Sequence, residues 1–333
     1  MIGVWVEPSG ESVELARAEI GSAAEALGGD AVGDPDPGGL IEVRLPDPAA
    51  GRALAARLAL ARRVLLGLGA GDEGLARVRA VGAAGGRAAV RRLGRPSGGG
   101  RDPGVAATGR AFVEGGGSID LTDPSHRFWV RERAGVLEYF QELAPVDRSE
   151  LQRRRMPTLP FRRPVALPPP LARAAVNLAR VRPGDRVLDP FLGTGALLAE
   201  AGLLGARLVG IDRDAEMVRG ALRNLAHLGL EAEELRVGDA EEVDLPGARG
   251  SLDAVVTDAP YGRSSGTGGE SAERVVARVM PRWAERVREG GRVVLVTPGG
   301  YEPMPPDWAC RIRVPVRVHR SLTREFRAYE RTR

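Results

Sequence analysis

The segment from Thr257 to Tyr261 carries side chains suited to hold a flat ring that bears an amino group. The carboxylate of Asp258 and the backbone carbonyl of Ala259 can accept the amino hydrogens, and the ring of Tyr261 can cover the face of the bound ring. Pro260 restricts the preceding residue to extended backbone conformations. A strand-ending turn with a buried tyrosine is the structural alternative, because patterns of four residues recur by chance.

Three further aspartates have the same setting, since each follows a short apolar segment. Asp189 follows residues 186–188, Asp212 follows residues 208–211, and Asp239 comes shortly after residues 234–237. The carboxyl ends of parallel strands are the place where ligands bind in an open α/β sheet. A single aspartate there is most simply a turn or helix-capping residue, whereas the four together predict a ligand site.

A glycine-rich turn lies between the first two of these strands. Gly193, Thr194 and Gly195 precede a helix over residues 197–204, so that the segment has the pattern of a βαβ unit. The glycines let a ligand approach the backbone closely, and Asp212 can bind ribose hydroxyls. The turn does not have the GxGxxG spacing, which disfavours a dinucleotide, and the absence of GxxxxGK[ST] excludes a P-loop ATPase or kinase.

The elements that must position this site form the C-terminal half of the chain. Upstream, strands at residues 3–7, 40–45 and 88–93 and helices from residue 13 and over 48–66 predict an α+β region spanning 1–147. Residues 148–170 are rich in Arg and Pro and predict an extended, semi-rigid linker. Residues 171–333 then carry the ligand site, and segments 311–320 and 324–330 predict a terminal β-hairpin.

Composition limits the class of protein. The 333 residues suggest about two domains, the 43% hydrophobic content is that of a globular chain, and all 48 basic residues are arginine. The net charge of +4 permits an anionic partner without requiring one. Cys310 is the single cysteine and His126 has no second ligand near it, so we expect neither a disulfide nor a metal site. With no apolar stretch of about 18 residues and no charged leader, we expect a soluble cytoplasmic protein that does not enter a membrane.

Several motifs together resemble the tRNA (guanine-10-N2)-methyltransferase family, whose members carry a class I S-adenosylmethionine-dependent methyltransferase domain. The motifs are LARAAVNLARV at 171–181, VLDPFLGTGALLAEAGLLGARLVGIDRD at 187–214, GDA at 238–240, TDAPYGRSS at 257–265 and RVHRSLTREF at 317–326. The resemblance implies a Rossmann-like domain with a mostly parallel seven-stranded sheet and a C-terminal antiparallel hairpin. It also implies a preceding ferredoxin-like segment and a THUMP domain that binds tRNA, which residues 4–28 and 118–131 fit less specifically.

The family's functional positions can be carried over where the motifs match. The resemblance implies that Asp212 binds the ribose of the cofactor, that Asp239 and Ala240 bind its adenine, and that its methionine part lies against Asp189, Gly193, Thr194 and Gly195. Phe191 is a further cofactor-binding candidate. The target guanine would contact Asp258, Ala259, Pro260 and Tyr261. Two positions depart from the family pattern, since Ala259 replaces the usual first proline and Pro168 stands where a histidine is common. Neither departure removes a group that the chemistry requires.

Arginines near the site could contact RNA phosphates, because guanidinium groups neutralise and bind phosphate oxygens. The candidates are Arg162, Arg163, Arg263, Arg320 and Arg324, against the alternatives of a solvated linker and an edge hairpin with protective charges. The resemblance implies tRNA as partner. A monomer or weak homodimer is expected, and an accessory subunit stays open. The resemblance also leaves open an N2-guanine methyltransferase for another tRNA or rRNA position, an adenine-N6 methyltransferase, and an RNA-binding protein with a decayed catalytic half.

Overall fold

The computed structural model describes residues 1–10, 12–36, 38–94, 102–154, 158–163, 166–244, 248–259, 272–298, 304, 307–319 and 322–332. Contacts divide the chain into two units. The first comprises residues 1–8, 27–56 and 61–146, and the second comprises residues 9–26, 57–60 and 147–333.

The elements of the first 147 residues alternate between strands and helices. They are β1 (Ile2–Pro8), α1 (Val13–Ala26), β2 (Asp30–Val32), β3 (Ile41–Leu45), α2 (Pro48–Arg57), β4 (Ala61–Ala70), α3 (Gly71–Gly82), β5 (Arg87–Arg92), α4 (Pro103–Glu114), β6 (Ser118–Ile119), β7 (His126–Arg133) and β8 (Val136–Pro145). The predicted strands at 3–7, 40–45 and 88–93 are confirmed. The predicted helix over 48–66 was wrong in its second half, because residues from Ala61 onward pair as a strand with β1 and β8.

The first unit is built on one eight-stranded sheet. Its strand order is β2-β3-β1-β4-β8-β7-β5-β6, and the pairs are antiparallel except that β5 is parallel to β6 and β7. Phe112 from α4 packs with Phe128 and Tyr139 of the sheet, and all three side chains are buried. The assignment of residues 1–147 to a ferredoxin-like plus THUMP RNA-binding region stays a prediction.

The second unit contains the elements from residue 147 onward together with α1. These are α5 (Arg148–Arg153), α6 (Pro169–Leu178), β9 (Arg186–Asp189), α7 (Ala196–Gly202), β10 (Arg207–Asp212), α8 (Ala215–His227), β11 (Glu234–Val237), β12 (Leu252–Asp258), α9 (Ala272–Ala284), β13 (Val287–Thr297), β14 (Trp308–His319) and β15 (Leu322–Arg331). The region predicted as an extended linker therefore begins with a short helix, which Asp147 caps by accepting from the backbone N–H groups of Ser149 and Glu150.

The sheet of the second unit is Rossmann-like, as the sequence predicted. Its order is β11-β10-β9-β12-β13-β15-β14, in which the first five strands are parallel and β15 pairs antiparallel with β13 and β14. The central strands are continuous β-branched and leucine runs because both faces of a parallel sheet are covered. The chain proceeds from β9 outward to β11 and then returns to β12 on the other side of β9. This reversal of strand order next to β9 is the kind of position where α/β sheets bind ligands.

Helix α1 packs with the second unit although it precedes β2 in the chain. Its Leu15 and Ala16 belong to the same buried cluster as Val176 of α6. Its fully buried Glu19 accepts hydrogen bonds from the side-chain amide of Asn177 at 2.8 Å and from the backbone N–H groups of Ala59 and Leu60 at 2.9 Å each. Residues 9–26 and 57–60, which the sequence counted in the N-terminal region, are thus tied to α6 of the second unit by a buried polar network.

Candidate active site

Four aspartates lie at one edge of the Rossmann-like sheet. Asp189, Asp212 and Asp258 are the last residues of β9, β10 and β12, and Asp239 comes two residues after β11. Because these four strands are adjacent and parallel, their carboxyl ends open onto the same edge. The sheet therefore brings together four carboxylates that are up to 69 residues apart in the chain.

Asp189 is the most deeply buried of the four, with 2% exposure. Its Oδ1 accepts a hydrogen bond from the hydroxyl of Thr257 at 2.6 Å and another from the backbone N–H of Phe191 at 3.1 Å. Burial raises the pKa of Asp189 to about 7, and these two hydrogen bonds oppose that rise while the charges of Asp258 and Asp212 add to it. The Thr257 contact was not predicted, because nothing in the sequence connects residues on two different strands.

The glycine-rich turn is held against Asp212. The backbone N–H of Gly193 donates to Oδ2 of Asp212 at 2.8 Å, and that of Asp214 donates to Oδ1 at 2.9 Å. Gly195 precedes α7 in the left-handed region with φ of 79°, and a Cβ built there would lie 3.0 Å from the Cβ of Ala221. The turn thus requires glycine at residue 195 both for its backbone conformation and for space. Burial raises the pKa of Asp212.

Hydrogen bonds from one asparagine side chain connect the glycine-rich turn to the segment before α6. The side-chain amide of Asn224 donates to the carbonyl oxygens of Thr194 and Phe161 at 3.0 Å each, and its Oδ1 accepts from the backbone N–H of Phe161 at 3.0 Å. The ring of Phe161 lies where a Cβ on Gly220 would be, at 2.1 Å. Sequence inspection missed Phe161 and Asn224 because their side chains act through tertiary contacts.

The loop after β11 is tied to its neighbours on both sides. The backbone N–H of Gly238 donates to the carbonyl of Asp212 at 2.9 Å, and the indole N–H of Trp283 donates to the carbonyl of Ala240 at 3.1 Å. Oδ1 of Asp239 accepts from the backbone N–H of Glu241 at 2.9 Å. Ala240 is buried and Asp239 is exposed, so the pair offers an apolar surface and a carboxylate side by side.

The two carboxylate oxygens of Asp258 have different surroundings. Oδ2 lies 3.1 Å from Nη1 of Arg324, whereas Oδ1 is buried and has no hydrogen-bond partner among the described residues. Burial raises the pKa of Asp258 to about 7, and the charge of Arg324 opposes this. Ala259 is fully buried and its N–H donates to the carbonyl of Val296 at 3.0 Å. Pro260 and Tyr261 lie outside the described residues.

The arginines considered for RNA contact have different surroundings. Arg162 is exposed, and Arg163 pairs with Glu216 at 2.6 Å and lies over the ring of Phe161. Arg324 is only 4% exposed. Arg263 and Arg320 lie outside the described residues, and the phosphate role stays a prediction for all five candidates.

The part of the chain that the structure describes contains no group of three or more His, Cys, Asp or Glu side chains able to hold a metal ion. Over the same residues, no helix is long and apolar enough to cross a membrane.

Comparison with known proteins gives a consistent set of relatives. Residues 158–303 match the UPF0020 family model, described as an RMKL-like methyltransferase domain. The tRNA (guanine(10)-N2)-dimethyltransferase of Methanothermobacter thermautotrophicus is 39% identical over 194 residues, which are 57% of this chain and 57% of that protein. A protein of Methanothermococcus thermolithotrophicus named "Probable tRNA (guanine(10)-N2)-dimethyltransferase" is 31% identical over 167 residues, which are 49% of this chain and 98% of that protein.

The chain spans about half the length of three archaeal relatives, each named tRNA (guanine(10)-N2)-dimethyltransferase, at 52–57% of each. Among solved structures, TrmN from Thermus thermophilus covers 99% of both chains at 22% identity, with a TM-score of 0.48.

Proposed function

We propose that this chain, which belongs to the tRNA (guanine(10)-N2)-methyltransferase family, transfers methyl groups from S-adenosylmethionine to the exocyclic N2 of a guanosine in tRNA. Position 10 is the proposed target, with one or two methyl groups added. The observation that carries the proposal is the open Oδ1 of Asp258, a buried acceptor without a hydrogen-bond partner in the described part of the chain. A buried acceptor is costly unless a ligand supplies the missing donor, and an amino group is such a donor.

The residues at the sheet edge fit the proposed cofactor. S-adenosylmethionine carries an ammonium and a sulfonium cation, a ribose diol and an adenine ring, and its bound sulfonium supplies an activated methyl group. Asp189, deeply buried at the end of β9, offers a carboxylate to the cationic methionine part. Among the described residues, each oxygen of Asp212 accepts one backbone hydrogen bond, which leaves lone pairs for ribose hydroxyls. Asp239 and Ala240 would flank the adenine, with Phe191, Gly193, Thr194 and Gly195 around the methionine part.

The chemistry asked of the protein is alignment and electrostatics. Guanine N2 is a weak nucleophile because its lone pair is delocalised into the ring. Oδ1 of Asp258 and the carbonyl of Ala259 would accept the two amino hydrogens, which fixes N2 in line with the methyl group and localises its lone pair. With a pKa of about 7, Asp258 can also take the proton that N2 loses when its bond to carbon forms. Tyr261 would stack on the base after it leaves its helix.

The partner and setting belong to the same proposal. The substrate is tRNA, the N-terminal unit would hold it through its proposed THUMP region, and the protein would act in the cytoplasm as a monomer or weak homodimer. Arg162, Arg163, Arg263, Arg320 and Arg324 remain candidates for phosphate contact, and Arg324 is the least accessible of those that the structure describes.

The direct test is incubation with labelled S-adenosylmethionine and an unmodified tRNA transcript, followed by nucleoside mapping. Label in N2-methylguanosine or N2,N2-dimethylguanosine that disappears when G10 of the transcript is changed to A is the expected result. Label found in N6-methyladenosine, at another guanosine, or only in DNA would overturn it. Asp258→Asn should lower the rate at least about 100-fold, as for other preorganised groups at a reacting centre.

A matched control lies on the same strand. Asp253→Asn makes the same chemical change at the opposite end of β12, where the carboxylate accepts from the N–H of Arg186 and pairs with Arg288. It should leave the rate within a few-fold of the parent protein. Equal losses in the two variants would indicate a general structural effect and would count against a specific role for Asp258.

A further inference from the structure

We propose that Arg324 is a positioning residue for the methyl-transfer site. Its guanidinium holds Oδ2 of Asp258, and it thereby keeps the carboxylate ionised with Oδ1 directed at the substrate amino group. The inference rests on the proposed function for the identity of the group that Oδ1 accepts. The contact between the two side chains does not depend on that function.

Strand register brings Arg324 to this place. Asp258 of β12 pairs with Val296 of β13, which in turn pairs with Phe326 of β15. Arg324 lies two residues before Phe326, and residues two apart on a strand share a face of the sheet. Its long side chain therefore reaches across the end of β13 toward Asp258, where Nη1 lies 3.1 Å from Oδ2.

Burial makes this pair different from an ordinary surface ion pair. The side chains of Arg324 and Asp258 are 5% and 17% exposed, so solvent screens their attraction only weakly. Burial lowers the pKa of Arg324, and the charge of Asp258 raises it. Asp189 at the end of β9 is close enough for the charge of Asp258 to raise the pKa of Asp189, so the carboxylate of Asp258 lies in an electronegative setting. The charge of Arg324 lowers the pKa of Asp258 against the effect of burial. Arg324 is thus the group that favours the ionised, hydrogen-bond-accepting form of Asp258.

The inference differs from the phosphate role that the sequence suggested for Arg324. A phosphate contact requires an accessible guanidinium, whereas this one is buried against a carboxylate. The two roles predict different consequences of mutation. Loss of a phosphate contact weakens tRNA binding at all pH values and reduces its salt dependence, whereas loss of the positioning contact changes the pH profile of methyl transfer.

The experiment compares Arg324→Gln and Arg324→Lys with the parent protein in kcat and KM from about pH 6 to pH 9. For Arg324→Gln we expect kcat to fall about fivefold or more near pH 7 and to recover largely near pH 9, because the acidic limb of the profile moves up by about one pH unit or more. Arg324→Lys keeps the charge and should restore much of the loss. The KM for tRNA and the affinity for S-adenosylmethionine should change little.

The matched control is Arg313→Gln. Arg313 pairs with Glu325 from the neighbouring strand β14 and is 54% exposed, so its loss should leave the pH profile unchanged. A raised KM for tRNA with an unchanged acidic limb in Arg324→Gln would overturn the positioning role and favour the phosphate role. A uniform loss at every pH that lysine does not restore would also overturn it.

A readout without substrate separates this inference from the proposed function. NMR titration of the protein labelled with ¹³C at its aspartate carboxyls should show that one carboxyl, identified by its loss in Asp258→Asn, titrates at higher pH in Arg324→Gln than in the parent. Absence of that change refutes the positioning role even if tRNA is methylated. If tRNA is not methylated but the titration moves as expected, the proposed function fails and the ion-pair assignment stands. If Arg324→Gln does not fold, the same measurement is made on two other variants. An unchanged pKa of the Asp258 carboxyl in Arg324→Ala, or a lower pKa in Arg324→Lys than in the parent, would refute the role.

Discussion

The hydrogen bond from Thr257 to Asp189 provides the sharpest test of the proposed cofactor site. Replacing the fully buried Thr257 by Val keeps the shape and strand preference of the side chain and removes the hydroxyl that donates to Oδ1 at 2.6 Å. The loss of this hydrogen bond destabilises the ionised carboxylate more than it destabilises the neutral acid. The substitution therefore raises the pKa of Asp189, whose value in the parent protein is about 7.

The size of the effect follows from the energy of such a bond. A hydrogen bond to a charged group contributes about 1.5–3 kcal/mol, and about 1.4 kcal/mol corresponds to a change of 1 in pKa, so a value of about 8 is a conservative expectation for the variant. If the cofactor binds the ionised form, its Kd scales inversely with the ionised fraction of Asp189. At about pH 6.5 that fraction falls from roughly a quarter to roughly 3%, an increase in Kd of about eightfold. At about pH 9 both proteins are ionised and the two Kd values should nearly coincide.

Isothermal titration calorimetry of S-adenosylmethionine or its demethylated product at the two pH values measures this ratio. Thr108→Val is the matched control, since Thr108 is also fully buried and donates to the carbonyl of Gly104 at 2.7 Å within the first unit. Its Kd should equal that of the parent at both pH values. The decisive quantity is the Kd of Thr257→Val divided by the Kd of the parent protein. If this ratio is the same at about pH 6.5 and about pH 9, or equals one at both, the reasoning that Asp189 binds the cofactor as a carboxylate is refuted.

Three further outcomes are expected. The cofactor-free protein should lose stability as pH rises from about 4 to about 7, because Asp189 and Asp258 hold protons more tightly when folded, with a pKa raised from 3.8 to about 7. Urea titrations should show a smaller loss in Asp189→Asn, and an equal loss would contradict the assignment. Glu19→Ala should lower the free energy of unfolding by about 3 kcal/mol or more, since two buried backbone N–H groups lose their acceptor. The exposed Glu14→Ala on the same helix should cost well under 1 kcal/mol, and similar costs for both would argue against the network. Gly195→Ala should destabilise by about 1–2 kcal/mol through its left-handed φ, as measured by thermal unfolding, and an unchanged melting temperature would show that the turn can relax.

Local patterns in the sequence predicted most of the second unit's sheet. The apolar runs before Asp189, Asp212 and Asp258 are strands because β-branched and leucine side chains fill both faces of a parallel sheet. The alternating tail forms the predicted hairpin of β14 and β15. The helix prediction was wrong over residues 61–66, where an apolar segment that follows a helix forms a strand. Short apolar runs do not distinguish the two structures, and pairing with β1 and β8 decided between them.

The sequence by itself determined the fold class, the strand ends that carry the four acids, the glycine turn and the family to which the chain belongs. Each of these features depends on a short contiguous segment, in which the residue types and the spacing of apolar residues determine the local backbone conformation. Only the tertiary structure decided that Thr257 donates to Asp189, that Arg324 faces Asp258 rather than lying on the surface, and that Glu19 joins α1 to α6. Each of these contacts joins residues far apart in the chain. These contacts form because strand register and helix packing bring their residues together. The burial of apolar surface over the whole chain determines that register and packing, so they cannot be read from a local pattern.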